Sequence, residues 1–144
     1  MSIRKIQIIS NDLSYGPMPD ENDEIEQHMT LNNKGQVWLS RYRYGEGKGR
    51  YPLIKKEYFR ISDKDTKVIF EFAAELMRGS EISFATDVGC WDLIVCDDAG
   101  NKIKKQRSLF YSDSKDVQGF CSTIRNAVNT EKLLLLDGGS AEDE

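Results

Sequence analysis

Hydrophobic and polar positions alternate in several short runs along the chain, and two later stretches repeat instead with a period near 3.6. "RKIQII", residues 4–9, predicts an opening strand. Residues 11–27 hold Gly16, Pro17 and Pro19, which interrupt regular structure and predict a loop over most of that stretch. "HMTL" and "QVWLSRYRY" then flank "NNKG", the signature of a hairpin with Gly35 at its left-handed position. Along the second arm, period two sets Trp38, Ser40, Tyr42 and Tyr44 on one face and Val37, Leu39, Arg41 and Arg43 on the other. Burial is expected near Val37 and Leu39, and solvent towards Tyr44.

"EGKGRYP" reads as a turn and "LIKKEYFRI" as the next strand. Ser62 and Asp65 form a capping-box pattern, and Ile69, Phe72, Ala73 and Leu76 follow at helical spacing, which predicts a helix over 63–78 ended by Gly79. "EISFAT", "CWDLIVC" and "KIKKQRSLF" read as three further strands. A second helix is predicted from about 114 to 129, with Val117, Phe120, Cys121, Ile124 and Val128 on one stripe. "KLLLLD" suits either a last strand or an extension of that helix. The expected fold is a single α+β domain over residues 1–136. It has a mainly antiparallel sheet of about six or seven strands with both helices packed on one face, followed by a polar tail at 137–144.

Composition narrows the setting. A chain of 144 residues can bury a core without covalent staples. Its three cysteines cannot all pair and none stands in a C-x-x-C spacing, so free thiols in a reducing cytoplasm are expected. No apolar run approaches the length of a membrane span, and no membrane partner is expected.

The net charge of −4 is unevenly distributed. Asp12, Asp20, Glu21, Asp23, Glu24 and Glu26 lie together with no intervening cation, whereas residues 41–60 and 102–107 are basic. Arg41, Tyr42, Arg43, Tyr44, Lys48 and Arg50 combine cations with aromatic planes, the ingredients of a nucleic-acid patch. Against this, edge strands carry Lys and Arg routinely to prevent sheet-to-sheet pairing, and a chain of this charge repels a polyanion. "GEGKG" lacks the spacing of a phosphate-binding loop and leads into a strand rather than a helix.

Catalytic and metal readings have little support in the residue types. His28 is the only histidine, and no nucleophile elbow occurs. Cys90 and Cys96 lie too far apart along one strand to share a zinc, and the acidic stretch lacks the glycine and closing glutamate of a calcium loop. Asp87 and Asp92 bracket Trp91 as a carboxylate pair would in a hydrolase. A turn bond by Asp87 and an outward Asp92 account for the same residues more simply. The expectation is therefore a non-catalytic protein-binding domain with no cofactor and no metal, of the kind seen in bacterial immunity proteins that neutralise a toxin, with the acidic residues 12–26 as the docking surface. Nucleic-acid binding is the alternative, and a hydrolase the second.

Overall fold

The computed structural model describes residues 2–11, 18–46, 50–78, 90–108 and 115–135. Six strands form one antiparallel sheet: β1 (Ile3–Asn11), β2 (Glu24–Asn32), β3 (Gln36–Arg43), β4 (Leu53–Arg60), β5 (Cys90–Asp97) and β6 (Lys102–Ser108). Helix α1 (Asp63–Arg78) follows β4, and α2 (Lys115–Ala127) follows β6. The spatial order is β4-β3-β2-β1-β5-β6, so β1 and β2 are the central pair and the two hairpins that precede helices form the flanks. This is the expected α+β fold. "EISFAT", Asp87, Lys48 and the 137–144 tail fall outside the described residues.

Period-two burial on the strands sends one set of side chains inward. Ile6 and Ile8 of β1, Met29 and Leu31 of β2, Val37 and Leu39 of β3, and Trp91, Leu93 and Val95 of β5 belong to one buried cluster. Ile69 and Ala73 of α1 and Val117, Phe120, Cys121 and Ile124 of α2 close the same cluster, so both helices cover one face of the sheet. The two helices meet where α2 has Gly119: a Cβ there would lie 2.4 Å from Cζ of Phe72, and only hydrogen lets the Phe72 ring fit.

Helix α1 begins as its sequence suggests. The Ser62 hydroxyl accepts the Asp65 N–H at 3.0 Å, capping the first turn. The β2–β3 turn packs against this start. Gly35 has φ +81°, the left-handed region, its carbonyl accepts Ile61 N–H at 2.8 Å, and an added Cβ would lie 2.6 Å from the Ile61 oxygen.

Three expectations are corrected. Strand β2 begins at Glu24, inside the stretch expected to be a loop, because Ile25 and Gln27 already alternate inward with Glu24 and Glu26. Tyr44, expected to be wet, is buried: the β3–β4 register shifts between Arg41 and Tyr42, and the Tyr44 ring stacks on Tyr51 at 6.5 Å. Residues 132–135 are neither strand nor helix. Leu133 and Leu135 are buried, but the backbone between them is held by side chains from the sheet rather than by a ladder.

Candidate interaction surface

Those side chains form a polar row at one end of the inner face. Strand register places Ser10, Gln27 and Arg41 beside one another on β1, β2 and β3. The Ser10 hydroxyl donates to Leu134 O at 3.2 Å. Gln27 accepts Leu134 N–H at 2.8 Å and donates to Lys132 O at 2.5 Å. Arg41 donates to Lys132 O at 3.3 Å, Glu131 O at 2.7 Å and the Thr130 hydroxyl at 3.0 Å. Lys132 sits at φ 47°, so its carbonyl is presented from a left-handed residue. The chain after α2 leaves backbone groups that no strand or helix satisfies, and this row supplies the missing partners.

Arg41 is 3% exposed and also forms ion pairs with Glu57 at 2.6 Å and Glu24 at 2.9 Å. Burial works to lower its pKa, but the hydrogen bonds and charges of Glu57 and Glu24 outweigh this and raise it. Glu57 responds in kind: the little burial it has would raise its carboxyl, and Arg41, with help from Lys55 and Thr130, holds it below the ordinary value. A groove of about 600 Å³ runs past this network, lined by Ile54, Lys55 and residues 129–132. The guanidinium behind it has its donors committed within the fold.

Neither described helix covers the opposite face of the sheet. Register sets Tyr58, Trp38, Thr30, Gln7, Ile94 and Lys104 in one row across all six strands. Lys56, Ser40, His28, Ile9 and Asp92 form the row beside it. Trp38 and Tyr58 are 42% and 51% exposed, and their rings meet at 5.6 Å with a 55° tilt. Tyr58 also accepts a hydrogen bond from Gln36 at 3.3 Å. That bond and the neighbouring Arg60 shift its phenol downward. Tyr42 packs on His28, with ring centroids 4.7 Å apart, and His28 hydrogen-bonds Glu26 at 2.7 Å. Burial would raise the Glu26 carboxyl, yet the bonds from His28 and Asn11 prevail and hold it low. Half-buried Ile9 and Ile94 extend the apolar band towards β5.

The residues singled out from sequence are dispersed. Asp12 lies outside the described residues. Asp20, Glu21 and Asp23 are exposed in the turn before β2, where the Asp23 carboxylate accepts the Asp20 N–H at 2.9 Å. Glu24 is bound by Arg41 and Gln27, and Glu26 by Asn11 and His28, so neither is a free carboxylate for a partner.

Of the basic set, Arg41 is interior, Tyr44 is buried, and Arg43 donates to Glu21 O at 3.0 Å. Tyr42 lies on the open face and Arg50 is exposed. Lys55 and Lys105 face the helix side, Lys105 bonding Leu76 O at 3.0 Å, whereas Lys104 faces the open side. Arg41, Arg43, Lys55, Lys104 and Lys105 therefore do not share one surface. Asp92 faces away from the helices and pairs with Lys104 at 3.6 Å. Its proposed companion Asp87 is outside the described residues.

Sequence reasoning passed over Trp38 and Tyr58 as a pair. Their placement was legible in the period of β3 and β4, but the register that sets them opposite each other was not. Among the described residues, no group of three or more His, Cys, Asp and Glu side chains converges as a metal site would. No described helix is long and apolar enough to cross a membrane. No protein-family model matches the chain, and no curated protein matches it either.

Proposed function

We propose that the protein is a non-catalytic protein-binding domain whose docking surface is the sheet face that neither described helix covers. The observation that carries this reading is the Trp38–Tyr58 pair, exposed on β3 and β4 at one flank of the sheet and continued inward by Tyr42, Ile9 and Ile94. Protein interfaces are enriched in tryptophan and tyrosine at their centres, where a rigid ring excludes water at small entropic cost. The buried cluster between helices and sheet lies on the other side, so that core makes no use of these rings.

The acidic docking surface, with its immunity-type version, gives way to this one. Within the described part of 12–26, Asp20, Glu21 and Asp23 are exposed, while Glu24 and Glu26 serve the fold. Nucleic-acid binding is disfavoured by the interior position of Arg41, whose donors are committed within the fold.

Affinity capture from cells that express the protein tests the reading, comparing the wild type with a Trp38→Ala/Tyr58→Ala double variant of unchanged circular dichroism. A protein retained by the wild type at about 0.15 M salt, lost by the variant and indifferent to nuclease is the expected result. Equal retention by both forms, or retention abolished by nuclease, would sink the proposal.

A further inference from the structure

The open face of this acidic chain carries a surplus of cations. Lys5, Lys56, Arg60, Lys102 and Lys104 project from it by register, and Arg4 joins them at the β1 bulge, where its guanidinium lies 3.6 Å from Cys96 Sγ. All six are exposed. The described strand carboxylates of the same face are Glu26 and Asp92, with Glu24 at the start of β2 turned to Arg41, and each already has a cationic or imidazole partner. The surplus is positive on a chain whose net charge is −4.

Lysines on β4 and β6 can be read as guards of open sheet edges. That account does not reach Arg4 and Lys5, because β1 lies inside the sheet between β2 and β5. The cations also have a particular disposition. They frame the band of Trp38, Tyr58, Ile9 and Ile94 on two sides, at the β4 flank and at the β1–β5–β6 end. An aromatic centre with a charged rim of one sign is the arrangement that steers and orients a partner of the opposite sign.

From this disposition we infer that the partner of the open face presents a surface rich in aspartate and glutamate around an apolar centre. The inference rests on the open face being the docking surface, and it names the chemistry that this surface selects. The apolar band meets the partner's own apolar residues, while the rim lysines meet its carboxylates at the exposed boundary. Ion pairs there act mainly on encounter rate and on rejection of basic surfaces, and they weaken with salt.

The chain carries its own reporter. Trp38 is 42% exposed on the open face, whereas Trp91 is 4% exposed on the other side of the sheet. Acrylamide quenching therefore reads mainly Trp38. The probes are a polyglutamate peptide, a polylysine peptide and an oligothymidylate with the same number of charges as the polyglutamate, each titrated at low and at moderate salt. Polyglutamate is expected to shield Trp38 at low salt, and polylysine is not.

Charge reversal at Lys5, Lys56 and Lys102, which have no ion-pair partner among the described residues, should weaken polyglutamate binding about tenfold or more at unchanged melting temperature. Failure of polyglutamate to shield Trp38, or an unchanged affinity in the triple variant, overturns the inference. Tighter binding of oligothymidylate than of polyglutamate also overturns it and assigns the face to phosphate. These outcomes are separable from failure of the docking surface itself. A captured protein lost on Trp38→Ala/Tyr58→Ala but indifferent to the charge reversal would keep the surface and remove its acidic partner.

Discussion

Arg41 shows how the same side chain supports opposite readings until its neighbours are known. In sequence it belongs to a run of cations and tyrosines. In the fold it is interior, paired with Glu24 and Glu57, and bonded to the backbone after α2. Period two placed it correctly beside Val37 and Leu39, but nothing local identified partners that stand 17, 16 and about 90 positions away. Arg41→Ala would leave two part-buried carboxylates without their cation and release the 130–134 segment, so a loss of about 2–3 kcal/mol is expected. Arg41→Lys should recover only part of this, since a single ammonium cannot span both carboxylates and the Glu131 carbonyl. Urea unfolding measures both. A stability unchanged by Arg41→Ala would mean that the network does not hold the segment.

At the scale of elements, the helices and hairpins were the legible part. Ser62, the 3.6-residue stripe and Gly35 each specify local geometry, and the structure follows them. What could not be read was the beginning of β2, because Pro17, Pro19 and a dense run of acids masked the alternation of Ile25 and Gln27. The "LLLL" run was ambiguous for a different reason: the backbone of Leu134 is satisfied by side chains, which leave no periodic trace. The contact between helices was equally silent. Gly119 looks like a weak point in α2, yet it is the groove for Phe72. Gly119→Ala would gain about 1 kcal/mol of helix propensity and lose about 1–3 kcal/mol to overpacking. The variant should therefore melt lower than the wild type. A higher melting temperature would mean that the helices separate there without cost.

For the whole molecule, the two faces of one sheet divide the work. The inner face is closed by helices and by the polar row, and the outer face keeps aromatic rings and cations in solvent. The tryptophans mark this division: they look alike in two similar strand patterns, but Trp91 lies inside and Trp38 outside.

Acid should act on both faces. Glu26 and Glu57 are held below the ordinary carboxylate value when folded, so on acidification the unfolded chain takes up their protons first. Their contribution to stability is complete above the ordinary carboxylate range and is lost as pH falls through the lowered folded values. Glu57→Gln should be less stable than the wild type at neutral pH, and the two melting curves should converge as pH drops below that range. Divergence on acidification would contradict the sign.

A docking surface is covered when the protein is at work, and the accessibility of Trp38 measures that directly. With the captured partner purified and added at saturation, acrylamide quenching of Trp38 should fall towards that of buried Trp91. Undiminished quenching of Trp38 in a complex shown to have formed would place the partner elsewhere and contradict the account.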